Sequence, residues 1–67
     1  MTNRPTAFKA AKALSAETGT NVAAKTFGLK YTDALKAGDS KEFRYWAACY
    51  SATCRIAYQV LVSSASA

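Results

Sequence analysis

Asp39-Ser40-Lys41-Glu42-Phe43-Arg44-Tyr45-Trp46 opens the stretch that decides the fold, and the pattern it starts runs on to about Ala65. An Asp followed three residues later by a Glu is a capping-box arrangement, in which the Asp39 side chain accepts from the Glu42 amide and the Glu42 side chain returns a bond to Asp39. Phe43, Trp46 and Tyr50 then recur at spacings of three and four. Cys54, Ala57 and Leu61 continue that face, so an apolar stripe lasts about six helical turns. Tyr45, Ala48, Cys49, Ala52, Ile56 and Val60 form a second stripe beside the first. The combined arc is wider than a one-sided surface helix needs. A helix over 39–65 is therefore central to the fold or shared with a partner.

Working outward, residues 1–4 are expected to fray, and the spacing predicts a first helix with Asn3 or Thr2 as its cap and Pro5 near its first turn. Phe8, Ala11, Leu14 and Thr18 form its inner face, Lys9, Lys12 and Glu17 its polar side and edge, and Gly19 ends it in the left-handed conformation. The segment 20–38 has two readings. As one helix it places Ala24, Phe27, Tyr31, Ala34 and Leu35 on a single face, tolerates Gly28 at about 1 kcal/mol relative to Ala, and leaves Val22 and Leu29 pointing elsewhere. As two short helices, 21–27 and 30–37, it uses Gly28 as the turn and buries Leu29 beneath it. Gly38 closes the segment, and the short link to Asp39 makes the last two elements antiparallel or sharply angled neighbours. Residues 63–67 lack large side chains and are expected to fray. Ala13-Leu14-Ser15-Ala16 recurs as Ala34-Leu35-Lys36-Ala37, a faint repeat that the alanine-rich composition explains.

In its two-helix form, the middle segment resembles the helix-turn-helix of phage repressors and related DNA-binding proteins: Ala24 stands four residues before Gly28, and the apolar Leu29 just after it. Ala34 departs from the motif, which usually has a branched aliphatic residue there. The resemblance implies that Lys30, Tyr31, Thr32 and Lys36 face the groove of a duplex, with the lysines on phosphates or guanine edges. Lys25, Lys41 and Arg44 would add phosphate contacts near the same end, whereas Asp33 would repel phosphate.

Sixty-seven residues allow one domain spanning 1–67, and a core of that size typically supplies about 3 to 5 kcal/mol without staples. Nine Lys and Arg against four Asp and Glu give a formal charge of +5, which favours polyanionic partners. The chain has no His and only two Cys, so no zinc-type ligand set can be assembled and no metal or cofactor is expected. Cys49 and Cys54 stand about 7.5 Å apart in rise on a helix and turn to different faces, which disfavours a disulfide between them. Both are expected to be reduced, buried thiols. No apolar leader precedes the first helix, and Arg55 divides the long helix into stretches shorter than the roughly 20 apolar residues of a membrane span. A soluble, cytoplasmic protein is expected. No nucleophile and base stand in a usual arrangement, and no glycine-rich phosphate loop exists, so neither an enzyme nor a small-molecule substrate is expected.

The aromatics point to core and to interface at once. Phe43, Trp46 and Tyr50 share one face and are assigned to the core. Arg44, Tyr45 and Tyr58 are expected at the surface, where Arg beside aromatics suits an interface, with Arg55 alongside. Ala48 and Ala52 would let another helix approach closely, either the first helix or a second copy of the chain. The expectation is an all-α bundle of three helices with a non-catalytic binding role. A nucleic-acid-binding regulator is the leading reading. A protein-interaction module of the kind phages encode as small inhibitors or adaptors is the alternative, with a homodimer expected through the long helix.

Overall fold

The computed structural model describes residues 4–66 and contains three helices, α1 (Ala7–Thr18), α2 (Thr20–Ala37) and α3 (Ser40–Ser66), with no strand among the described residues. This is the small all-α bundle that the 3.6-residue periodicity predicts. At 1.5 Å per residue α3 is about 40 Å long, which sets the 44 Å long dimension of the molecule. It extends through Ser66, beyond the expected point of fraying.

Helix starts and stops follow from local chemistry, though not always from the residues expected. Thr6 caps α1 by accepting from the Lys9 amide at 3.3 Å, so Pro5 precedes the cap. The expected caps, Thr2 and Asn3, lie outside the described residues. Gly19 is the single residue between α1 and α2, at φ 91° and ψ 156°. That is not the left-handed helical region expected, but an extended mirror region that only glycine occupies readily. The abrupt reversal demands it: the Gly19 amide bonds back to Ser15 and its carbonyl accepts from Ala23. Gly38 does take the left-handed conformation, at φ 73° and ψ 21°. Its amide reaches the Leu35 carbonyl and the Asp39 amide reaches the Ala34 carbonyl, the paired bonds of a Schellman stop.

α2 is continuous through Gly28, which excludes a turn there. The one-helix reading is the observed one, and Leu29 is exposed rather than buried beneath a turn. Phe27 and Ala34 face inward as that reading requires, but Leu35 lies outside the inner face at 61 % exposure. Its position is about 80° of helical rotation from Phe27, at the edge of the arc that α3 covers.

The core is built from small side chains. Ala11, Ala23, Phe27, Ala34 and Cys49 are buried, and the missed Thr53 is buried with its hydroxyl donating to the Cys49 carbonyl at 2.8 Å. Of the two stripes on α3, the second faces this core, with Tyr45, Ala52 and Ile56 packed half-buried around Cys49. The first lies along α2. Phe27 stacks on Trp46 at 6.0 Å, and Tyr31 sits edge-on between Phe43 at 5.7 Å and Tyr50 at 5.6 Å. Such pairs contribute about 0.5 to 1.5 kcal/mol each beyond area burial. α2 thus runs back along α3, while α1 runs in the same sense as α3, with Pro5 beside Tyr45 and Phe8 farther on beside Ala48 and Arg55.

Several residues assigned inward are outside. Tyr50 is part-exposed, Phe8 is 51 % exposed, and Cys54 is an exposed free thiol while Cys49 is a buried one. Cys54 and Leu61 fall on the α3 stripe about 100° from the core direction, where α2 covers only the N-terminal half.

A Cβ added at Gly28 would meet only the Tyr50 ring, at 3.5 Å, which is ordinary contact. Gly28→Ala is therefore expected to stabilise the chain by about 0.5 to 1 kcal/mol, through helix propensity and a less free unfolded chain. Thermal melts should show a rise of several degrees, whereas Gly38→Ala should lower the midpoint because its φ is positive.

Candidate functional site

The seven residues expected to meet nucleic acid do not share a face. Tyr31 is wedged between Phe43 and Tyr50, and the Thr32 hydroxyl donates to the Gly28 carbonyl at 2.8 Å in a part-buried position. Lys30 leans over the Trp46 ring at 5.1 Å. Lys36 is exposed on the outer side of α2 with Lys25 eleven residues earlier, so those two point the same way. Lys41 and Arg44 are exposed on the first turns of α3, away from that side. At about 100° per residue, residues 30, 31, 32 and 36 spread over about 240° of the helix circumference.

The residues expected at a protein interface divide differently. Arg44, Ala48 and Arg55 recur along one outer face of α3 and are exposed. Ala52 is half-buried against the core, and Tyr58 is 68 % exposed beyond the bundle. Tyr45, expected at the surface, is instead half-buried and donates its hydroxyl to the Pro5 carbonyl at 2.8 Å. Burial pushes its hydroxyl up, as burial does the Cys49 thiol. Both groups hold their protons at neutral pH, and Cys49 is not a nucleophile.

Among the described residues the most connected polar group is Arg4, which is anchored rather than frayed as expected. Arg4 forms a two-pronged ion pair with Glu42, one prong being Nη2 to Oε1 at 2.6 Å. Its guanidinium also lies 4.5 Å from the Tyr45 ring centre and 5.3 Å from that of Trp46. Trp46 thus carries Arg4 and Lys30 on its π-system while Phe27 stacks on it. This explains why the capping box is only half made. Asp39 accepts from the Glu42 amide at 3.2 Å as expected, but the Asp39 amide is already bonded to Ala34 and the Glu42 carboxylate has turned to Arg4. No pattern around Arg4 marks it in the sequence, because its partners are 38 to 42 residues away.

Two surface hollows flank α3. One, of about 380 Å³ between α2 and α3, mixes Lys30 with Asp33, Asp39 and Glu42. The other, of about 390 Å³ between α1 and α3, is lined by Phe8, Arg55 and small residues and contains no acid. Among the described residues no group of His, Cys, Asp and Glu could hold a metal ion, and no helix is long and apolar enough to cross a membrane. No family model, no curated protein and no solved structure matches the chain.

The bond from Arg4 holds the Glu42 carboxyl below its usual range, and the same bond raises Arg4. A carboxyl lowered in the folded chain stabilises it at every pH above the ordinary carboxylate value, and that contribution is lost as pH falls through the lowered folded value. Denaturant titrations at neutral pH should find Glu42→Gln less stable than the parent. The difference should close on acidification into and below the carboxylate range, and a gap that persisted in acid would show that the ion pair is not its source.

Proposed function

We propose that the chain is a non-enzymatic protein-binding module that associates helix to helix, chiefly through α3. The observation that carries this reading is surface left uncovered. The molecule exposes 5102 Å² at a mass of 7.1 kDa, where a compact monomer of that mass exposes about 4,100 Å². The excess is comparable to the roughly 800 Å² that one partner contributes to a standard interface. Large apolar side chains contribute to it at the C-terminal end of α3, where Tyr58, Val60 and Leu61 are 68 %, 59 % and 69 % exposed. Isolated exposed apolar residues are normal, but a helical turn of them projecting past a bundle marks an interaction surface.

A second reading, a nucleic-acid-binding regulator, is favoured by the +5 charge and by Lys25 and Lys36 aligned on the outside of α2. It ranks lower because α2 is not broken and the remaining cations point several ways.

Sedimentation of the chain alone and with cell extract should find it in an assembly with itself or with another protein. Val60→Ser with Leu61→Ser should release the monomer while leaving the helical spectrum intact, since both side chains are exposed. A parent chain that stays monomeric at high concentration and retains no protein would overturn the proposal. For the second reading, titration with mixed-sequence duplex should give log K falling with log salt at about 0.9 per phosphate contact. Lys25→Ala with Lys36→Ala should reduce that slope by about two units, and undetectable binding at low salt would remove the reading.

A further inference from the structure

Taking the protein-binding reading as its basis, we infer that the groove between α1 and α3 is the docking site for an acidic amphipathic helix of a protein partner. The groove, of about 390 Å³, is lined by Ala7, Phe8, Ala48, Ser51, Ala52 and Arg55. Its floor is small side chains, which let a visiting backbone come close. Phe8 forms an aromatic wall that is 51 % exposed and fills no core position.

Charge decides what fits there. Arg44 lies one turn before Ala48, and Arg55 two turns after it on the same outer face, so their Cα atoms are separated by about 16 Å of helix rise. α3 has no acid after Glu42, and on α1 the exposed Lys12 follows Phe8 by one turn. The chain's carboxylates are elsewhere. Asp39 caps α3, Glu42 is held by Arg4, Asp33 lies in the hollow on the other side of the bundle, and Glu17 stands nine residues beyond Phe8. Among the described residues no carboxylate pairs with this face, and Arg is the side chain best suited to grip a carboxylate with two parallel bonds. The complementary surface is an apolar stripe that receives Phe8, flanked by carboxylates about three helical turns apart. Beyond Arg55 the same side of α3 leads to Tyr58, which extends the track onto the overhang.

Two other occupants fit less well. A second copy would bring nine cations and four acids, two of them already engaged. Nucleic acid would meet an alkyl floor between arginines too widely spaced to follow successive phosphates.

The test selects binders to the full chain from a displayed library of helical peptides about five turns long, whose flanking positions are drawn from Glu, Lys and Gln. Selected peptides should be rich in Glu, with two carboxylates about three turns apart. Their affinity should fall about tenfold or more for Phe8→Ala and for Arg55→Glu, each of which should keep the parent helical spectrum because both residues lie at the surface. Peptides with Lys in place of the Glu that meets Arg55 should regain affinity for Arg55→Glu. Neutral or basic selected peptides, or peptides insensitive to both substitutions, would overturn the inference. So would a duplex that displaces the peptides and itself depends on Phe8 and Arg55, or self-association that those two substitutions abolish. If peptides fail while assembly that depends on Val60 and Leu61 persists, the groove inference alone falls. If that assembly is missing as well, the protein-binding reading falls with it.

Discussion

The bundle depends on a row of aromatic contacts between α2 and α3, because the buried core alone is too small to fix the helices. Alanines, a cysteine and a threonine can bring backbones together, yet they bury little apolar area, and at about 25 cal/mol per Å² small residues contribute little. Phe27 within the core, and Tyr31, Phe43, Trp46 and Tyr50 at its edge, supply the missing surface. Their edge-on geometry sets the position of α2 along α3. Gly28 belongs to this arrangement: it lies against the Tyr50 ring, at a distance where a methyl group would also make ordinary contact. The residue that suggests a turn in the sequence is a packing residue within a helix.

A second consequence of the aromatic row lies at the start of the chain. Trp46 and Tyr45 present their π-faces to Arg4, and Glu42, one turn earlier on α3, supplies the carboxylate that Arg4 grips. Together with the bond from Tyr45 to the Pro5 carbonyl, this fastens the segment before α1 to the middle of the molecule. α1 itself is light, with Ala11 as its only buried residue. Anchoring its leading end reduces the chain entropy that its own weak packing would have to offset. The same contacts explain why Glu42 leaves the capping box, since a bidentate guanidinium is a stronger partner than a backbone amide that already has an acceptor.

What was legible in the sequence was whatever is local. The three helices, the stop at Gly38, the Asp39 cap and the span of α3 follow from periodicity and end chemistry within a few residues. The face of α3 that meets the core was only half legible, because two apolar stripes lie side by side and sequence spacing does not say which one a short helix covers. Tyr45 and Tyr50 exchanged their expected exposures for that reason. Leu29 misled because a large apolar residue suggests burial, although it sits on the outer side of a helix that α3 contacts on one face only. Arg4 was not legible as an anchor of the chain's start, nor Phe8 as the wall of a surface groove. The importance of Arg4 comes from partners far away in the chain, and that of Phe8 from the gap that α1 leaves against α3.

Under the proposed protein-binding role, folding and association would be linked. The last turns of α3 stand beyond both neighbours, and an isolated helix so short is marginal in water, so their helicity is propagated from the bundle. A partner that covers Tyr58, Val60 and Leu61 would add apolar burial where the molecule alone has least, and mass action would convert that binding into stability of the folded chain. A small core and a long apolar arm are therefore two sides of one arrangement. Large residues that would have enlarged the core lie instead exposed along α3 and on its arm, the surface that the proposed protein-binding role would use.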